Sequence, residues 1–320
     1  MRRLPTFAVM AVAAALVGCG EPVDTDPGEV GTVVGEARPA APTGKKIGTI
    51  LNNSTLHNRS RITYHNGPVM PGSSNVYLIW YGNWAGNTAT SIITDLVLNL
   101  GFSNYFLINA QYKDAAGVGP NGGLIYSGTV NDSYSRGSAL SDPDIGAVVM
   151  SHIASGGLPL DPAGIYVVLG AADVTATSGF CSQYCGQHSS TTFNGAQVKY
   201  IYVGNTDRCP SACSPQAVGP NDNAGADGMA NALVNELSST VTDPTLTAWF
   251  DREGFENADK CAWSFGTTYA APNGAQANLH LGTRDFLLQR NWFPTQKGGV
   301  CAMSVTGALQ DIANGLDDLG

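Results

Sequence analysis

The sequence predicts an α/β fold, a single domain built as an α/β/α sandwich around a mixed β-sheet. Three short apolar runs, at 76–81, 165–169 and 198–203, have the length and composition of buried strands. Segments with apolar residues at helical spacing lie between and after them. Strands that alternate with helices along a chain are typical of a sheet covered by helices.

The predicted elements follow one another in a regular order. The first buried strand precedes a helix over 88–100, whose apolar residues share one face. The segment 124–130 alternates like a strand, and a helix over 141–153 has a proline in its first turn. Two further strands lead to a helix over 224–241, which the Thr-Asp-Pro sequence at 242–244 ends.

The first residues of the chain predict export. Arg2 and Arg3 precede a short apolar run and a Leu-Val-Gly-Cys sequence that ends at Cys19, as in bacterial lipoprotein signals. We therefore expect a signal peptide over 1–18, a lipid on Cys19, and a position at the outer membrane or cell surface. An ordinary signal peptide that contains a cysteine is the alternative.

The rest of the chain divides by composition. Residues 19–60 are rich in Pro, Gly, Thr and Ala and are expected to form a flexible tether. The packed domain is predicted over 61–304, followed by a weakly helical tail over 305–320. The net charge of −9 argues against a nucleic-acid partner. The expected partners are the membrane, through the lipid, and an envelope polysaccharide or protein.

Six cysteines in the domain predict three disulfide bonds. Both close pairs are separated by three residues, and no cysteine–histidine group completes a zinc set, so disulfides in an exported protein are favoured over metal binding. The spacing predicts three local bonds, Cys181–Cys185, Cys209–Cys213 and Cys261–Cys301. The last closes the longest loop and is expected to contribute most to stability.

Several motifs, taken together, resemble one protein family. ITYHNGPVM at 62–70, GIYVVLGAADV at 164–174, GFCSQYCGQH at 179–188 and GADGMANALVNELSSTVTDP at 225–244 occur in the order found in the EXORDIUM, or phosphate-induced, family. The resemblance covers nearly the whole domain. It implies a secreted protein with the fold of that family, and it implies no defined reaction.

The last of these motifs also resembles HELxExxTDP, a pattern of zinc metallopeptidase-like sites. The resemblance makes Glu236 the candidate general base and makes Glu256 and Asp259 later acidic positions, so all three are candidate metal ligands. Asn235 and Ser239 stand where the pattern has a histidine and a second glutamate. Because an amide and a hydroxyl bind zinc poorly, we expect a metallopeptidase-like fold with no zinc and no cofactor. Calcium is the cation that the remaining carboxylates would suit.

Four other side chains are candidates for ligand binding. Trp84 and Trp249 lie near the ends of predicted elements, where an exposed ring can stack on a sugar. His65 and His188 lie within the family motifs, although a hydrogen-bonded structural role is the commoner one for a histidine.

These observations favour an exported, lipid-anchored envelope protein that binds a glycan or protein ligand on an inactive metallopeptidase-like fold. The alternative is a hydrolase, either a metallopeptidase or a glycan-active enzyme, that uses Glu236 and neighbouring acids. A purely structural lipoprotein is a further alternative, and it predicts no concave site. Convergence of Glu236, Glu256 and Asp259 distinguishes the first two interpretations from the third.

Overall fold

A computed structural model describes residues 60–316 of the chain. The predicted signal peptide, Cys19 and all but the last residue of the predicted tether lie outside the described residues, as do residues 317–320. None of the helices found between residues 60 and 316 has the length and apolar character needed to cross a bilayer.

Strands and α-helices are interspersed up to residue 242, and most of the short two-stranded ladders follow. The strands are β1 (Thr63–Tyr64), β2 (Gly72–Tyr81), β3 (Pro120–Asp132), β4 (Ala139–Leu140), β5 (Gly164–Gly170), β6 (Thr175–Ala176), β7 (Gly186–Phe193), β8 (Ala196–Gly204), β9 (Trp249–Phe250), β10 (Tyr269–Ala270), β11 (Gln276–Ala277), β12 (Leu279–Leu281), β13 (Arg284–Phe286), β14 (Asn291–Pro294) and β15 (Gly299–Ala302). The α-helices are α1 (Ala89–Leu100), α2 (Asp142–Ala154), α3 (Pro210–Cys213), α4 (Ala224–Thr242) and α5 (Val305–Ala313). Short 3-10 helices span Phe106–Gln111, Thr206–Arg208 and Ala258–Cys261.

A five-stranded sheet in the order β3-β2-β5-β8-β7 forms the centre of the fold. The first four strands are parallel, and β7 runs antiparallel to β8. Because β2 lies between β3 and β5, the chain adds strands first on one side of β2 and then on the other. The predicted α/β class with a mixed sheet is confirmed. The covering of both sheet faces by helices and the likeness to metallopeptidases stay predictions.

The apolar runs predicted as buried strands are the three inner strands of this sheet, β2, β5 and β8. Every residue of β5 is buried. Helix α1 buries the face that its spacing predicts. Helix α2 begins with a capping box, in which the Ser141 side chain accepts from the Asp144 N–H and the Asp144 carboxylate accepts from the Ser141 N–H.

The C-terminal part contains structure that the apolar pattern does not predict. The strands β10 to β15 form three antiparallel ladders of two to four residues a strand, which is too short for alternation to be visible. The weak helical pattern of the tail becomes α5, which packs against β15. Ala308 of this helix is fully buried in a small apolar cluster with Ile108 and Phe293.

Two of the three predicted disulfide bonds are wrong. Cys181 is bonded to Cys209 and Cys185 to Cys213, each across 28 residues, whereas the third predicted bond is present. Cys209 precedes α3 and Cys213 ends it. Side chains four residues apart on a helical turn lie on one face, so both sulfurs meet the neighbouring segment instead of each other. The two bonds join the segment before β7 to the segment before α4.

Tryptic mapping without reduction tests this pairing. Fragment 137–199 carries Cys181 and Cys185, fragment 209–252 carries Cys209 and Cys213, and neither contains an internal Lys or Arg. With the observed pairing, we expect the two fragments to elute as one species that separates only on reduction. Release of each fragment alone would show local pairing and would contradict the structure.

Candidate functional site

Helix α4 carries Glu236, the acidic residue at the centre of the metallopeptidase-like motif. Asn223 caps this helix by accepting a hydrogen bond from the Ala226 N–H, and the helix ends at Asp243. Nearly every residue between these ends is buried, and Glu236 is only 3% exposed. A carboxylate so deeply buried requires a partner, because an isolated charge in the interior is very unfavourable.

His188 on β7 is that partner. Gly186 and His188 point to the same face of the strand, and a Cβ atom at Gly186 would lie only 2.9 Å from Glu236 Cγ. His188 Nδ1 lies 3.1 Å from Glu236 Oε2. Its Nε2 lies 3.5 Å from Glu256 Oε1 and 3.3 Å from the carbonyl oxygen of Asp243. The imidazole therefore bridges two glutamates that are distant in sequence, and we call these three side chains the His188 cluster.

The surroundings of His188 favour its charged form. Burial lowers the pKa of His188, but the carboxylates of Glu256 and Glu236 raise it further than burial lowers it. The net result is a pKa well above the ordinary value of 6.5. The imidazolium of His188 is therefore paired with the carboxylates of both glutamates.

The protonation of His188 predicts a pH dependence of stability. Because the pKa is raised on folding, this contribution to the free energy of unfolding is complete below about pH 6.5 and is lost as the pH rises through the folded-state pKa. We expect the free energy of unfolding in urea to fall as the pH rises above about 6.5, with a slope of up to about 1.4 kcal/mol per pH unit. The imidazole ¹⁵N shifts of His188 should show the protonated form at about pH 7.

The matched control is the His280→Gln variant, because His280 is a largely exposed histidine paired with Asp285. We expect this variant to keep the same decline of stability with pH. A neutral imidazole tautomer of His188 at neutral pH would contradict the prediction.

A second buried ion pair holds the segment that carries Glu256 and Asp259. Lys260 Nζ lies 2.8 Å from Asp251 Oδ2, and both side chains are fully inaccessible. Lys260 also donates to a backbone carbonyl, and Asp251 accepts from two backbone N–H groups. The N–H of Glu256 donates to Asp259 Oδ2 at 3.2 Å. The position of both site acids therefore depends on this pair.

A pocket opens beside Glu236. Its lining joins amide, acidic and aromatic side chains with one disulfide, and consists of Cys185, Gly186, Cys213, Asn231, Ala232, Asn235, Glu236, Asp259, Ala262, Trp263 and Gln289. Among these described residues, Glu236 and Asp259 are the charged ones. The Asn235 Oδ1 atom is buried and has no hydrogen-bond partner among the described residues. The pocket is therefore acidic and contains hydrogen-bond acceptors.

The residues at the metallopeptidase-like positions do not fit a zinc ion. Ser239 Oγ donates to Asn257 Oδ1 at 3.3 Å, and Glu236 is engaged with His188. Asn235 lines the pocket, but an amide oxygen is a poor zinc ligand. Within residues 60–316, no three His, Cys, Asp or Glu side chains are grouped so that they could hold a metal ion. The zinc hypothesis therefore finds no such ligand set in that part of the chain, and calcium binding stays a prediction.

The histidine and tryptophan side chains predicted as binding candidates lie in different parts of the structure. His188 lies in the buried cluster behind Glu236. Trp249 lies in β9, and His65 directly follows β1, the strand that pairs with β9; the His65 ring stacks on Phe250 with ring centroids 3.8 Å apart. Neither His65 nor Trp249 is among the residues that line the pocket. They form a different surface, which stays a candidate for binding.

Trp84 is buried, so the exposure expected for it is wrong. The side chain is 7% exposed, and its Nε1 donates to the carbonyl of Tyr81 at 3.2 Å. The turn after β2 folds the ring back against Trp80, with the two rings edge to face. The position of Trp84 shortly after a strand therefore puts its ring in the core and not in solvent.

Among the polar and aromatic residues that line the pocket, Asn231, Trp263 and Gln289 are not candidates that the sequence singles out. Asn231 Oδ1 accepts from the Gln289 N–H at 2.7 Å, and Gln289 Oε1 accepts from the Trp263 N–H at 3.3 Å. These bonds join α4 to two loops far along the chain. No motif marks Asn231 or Gln289. The available signal for Trp263 is its place, with Trp249 and Phe250, among the aromatic residues near the metallopeptidase-like motif.

Comparison with known proteins agrees with the motifs. Residues 62–285 match the family model described as the phosphate-induced protein 1 conserved region. The chain is 30% identical over 275 residues to protein EXORDIUM-like 3 of Arabidopsis thaliana, which covers 73% of this chain and 81% of that protein. It is 29% identical over 241 residues to protein PHOSPHATE-INDUCED 1 of Nicotiana tabacum, which covers 62% of this chain and 71% of that protein. No solved structure matches.

Proposed function

This chain belongs to the phosphate-induced protein 1 family, and from this premise we propose a function that the pocket itself supports. The names of the similar EXORDIUM-like proteins state no reaction. The protein is an exported, lipid-anchored envelope protein that binds a carbohydrate beside Glu236. The three disulfide bonds fit an oxidising compartment outside the cytoplasm. The lipid on Cys19 would hold the domain at the membrane.

The composition of the pocket carries this proposal. A half-buried tryptophan, three amides and two carboxylates share one concave site, whose members are Trp263, Asn231, Asn235, Gln289, Glu236 and Asp259. Sugars present hydroxyl groups to polar side chains and an apolar ring face to an aromatic side chain. A purely structural lipoprotein would need no such pocket.

Binding to soluble polysaccharides tests the proposal. The mature protein should bind at least one member of a panel of neutral, acidic and amino polysaccharides in isothermal titration calorimetry. We expect Trp263→Ala to weaken that binding by about tenfold, because a stacked ring contributes on the order of 1 kcal/mol beyond its buried area. Phe102→Ala is the control, since Phe102 is 58% exposed and lies outside the pocket.

Two outcomes would overturn the proposal. One is the absence of binding to every polysaccharide in the panel. The other is a Trp263→Ala variant that keeps its urea midpoint and also binds as tightly as the native protein.

A hydrolase is the second candidate, and one observation favours it. Glu236 and Asp259 line the same pocket, and glycosidases act through two carboxylates roughly 5–10 Å apart. The polysaccharide that binds should be incubated with the protein and assayed for new reducing ends. Release that disappears in Glu236→Gln would favour the enzyme, whereas intact polysaccharide would favour a binding protein.

A further inference from the structure

Three side-chain amides line the pocket, and the oxygen atoms of two of them already accept hydrogen bonds. Asn231 Oδ1 accepts from the Gln289 N–H at 2.7 Å, and Gln289 Oε1 accepts from the Trp263 N–H at 3.3 Å. The third amide differs, because Asn235 Oδ1 is buried and has no hydrogen-bond partner among the residues that the structure describes. A buried acceptor without a donor is unfavourable, so a ligand that donates a hydrogen bond at this point gains affinity.

Helix α4 presents Asn235 to the pocket together with Asn231 and Ala232. Residues three and four apart on a helix are neighbours on its surface, so these three side chains share one face. Asn235 as a whole residue is partly exposed, and its terminal amide can turn about χ2, a torsion with broad preferences. A donor that enters the pocket can therefore meet Asn235 Oδ1 without a movement of the helix.

Small apolar groups form another part of the same wall. Ala232 and Ala262 contribute methyl groups, and Cys185 and Cys213 contribute the disulfide bond that joins them. The half-buried ring of Trp263 also lines the pocket. The small groups suit a methyl group, because contact between apolar surfaces removes both from water. The indole ring suits the apolar face of a sugar ring.

We propose that the carbohydrate bound in this pocket carries an acetamido group, whose N–H donates to Asn235 Oδ1 and whose methyl group contacts the small apolar groups of the wall. The inference rests on the proposed carbohydrate-binding function and specifies its ligand class as an N-acetylhexosamine. A secondary amide carries one N–H donor, and an acetyl group places a methyl beside it. One small substituent therefore matches both the acceptor and the apolar wall, whereas the hydroxyl of an unmodified hexose supplies a donor without the methyl.

The experiment compares two ligands that differ in this one group. Oligomers of β-1,4-linked N-acetylglucosamine and oligomers of β-1,4-linked glucose of the same length are titrated into the mature protein. We expect the acetylated oligomer to bind at least about tenfold tighter than the glucose oligomer, a difference of about 1.4 kcal/mol. Raising the salt concentration should leave this preference unchanged, because the acetamido group is neutral and ions screen only charge attraction.

Two substitutions locate the effect within the pocket. Asn235→Leu keeps a similar shape without the acceptor and should reduce the preference to less than about threefold, while the affinity for the glucose oligomer stays within about twofold. Ala262→Val fills the space expected for the acetyl methyl group and should have the same result. Asn99→Leu is the matched control, since Asn99 is an exposed helical asparagine outside the pocket. If Asn235→Leu fails to fold, Ala262→Val still decides the question.

Failure of this inference can be told apart from failure of the proposed function. Equal binding of both oligomers, or tighter binding of the glucose oligomer, overturns the acetamido site and leaves carbohydrate binding in place. A preference that survives in folded Asn235→Leu and Ala262→Val also overturns it. If neither oligomer binds, the acetamido site is overturned, and binding of another member of the polysaccharide panel then shows that the function survives without it.

Discussion

Lys260→Met is expected to lower the free energy of unfolding by about 3–5 kcal/mol, because it leaves the carboxylate of Asp251 buried without its ion partner. Both side chains of this pair are fully inaccessible, and Lys260 Nζ lies 2.8 Å from Asp251 Oδ2. A buried charge that has lost its partner keeps its full desolvation penalty. The measurement is the urea midpoint and slope of the native and variant proteins.

Two further variants show whether charge is the cause. The double variant Asp251→Asn with Lys260→Met removes both charges and should regain most of the lost stability, since a neutral pair carries no large desolvation penalty. Arg252→Ala is the matched control, because Arg252 forms an exposed pair with Glu253 and should change stability by less than about 1 kcal/mol. A double variant no more stable than Lys260→Met would contradict this explanation.

The pair of substitutions Cys261→Ala and Cys301→Ala is expected to cost about 4 kcal/mol, since the bond closes a loop of 40 residues and its removal frees the unfolded chain. The bond also fixes the end of the 3-10 helix Ala258–Cys261, the turn that contains Asp259 and Lys260. We therefore expect carbohydrate affinity to fall together with stability. Urea unfolding and calorimetry on the same preparation measure both.

The control removes one of the two disulfide bonds that join the same two segments. Cys181→Ala with Cys209→Ala breaks one bond between two segments that Cys185–Cys213 still joins. Most of the loop stays closed, so the loss of stability should be smaller than for Cys261–Cys301. The prediction fails if loss of the Cys261–Cys301 bond costs less than about 1 kcal/mol.

Periodic burial made much of the fold predictable from the sequence. The inner strands of the sheet appear as unbroken apolar runs because both of their faces are covered. Helix α1 appears as residues on one face, because its other face meets solvent. The edge strand β7 has no such pattern, since its Ser and Thr residues are only partly buried. An antiparallel edge strand of this composition is not distinguishable from a loop.

The acidic residues of the candidate site were predictable from the sequence, but their arrangement in space was not. Glu236, Glu256 and Asp259 follow from resemblance to a motif, and the structure places Glu236 and Asp259 at one pocket with Glu256 behind them. His188 belongs to a family motif, but nothing local relates it to Glu236, which lies 48 residues away. Their contact exists because β7 turns back along β8 and faces α4.

The sequence by itself determined the family, the elements of the sheet other than β7 with their order along the chain, and the Cys261–Cys301 bond, since each depends on local pattern or on spacing along the chain. Tertiary structure alone decided the pairing of the other four cysteines, the charge balance around His188 and the contribution of Trp263 to the pocket. The physical reason is the same in each case. Contacts between distant segments depend on where the backbone places side chains in space, and the spacing of residues along the chain does not encode that placement.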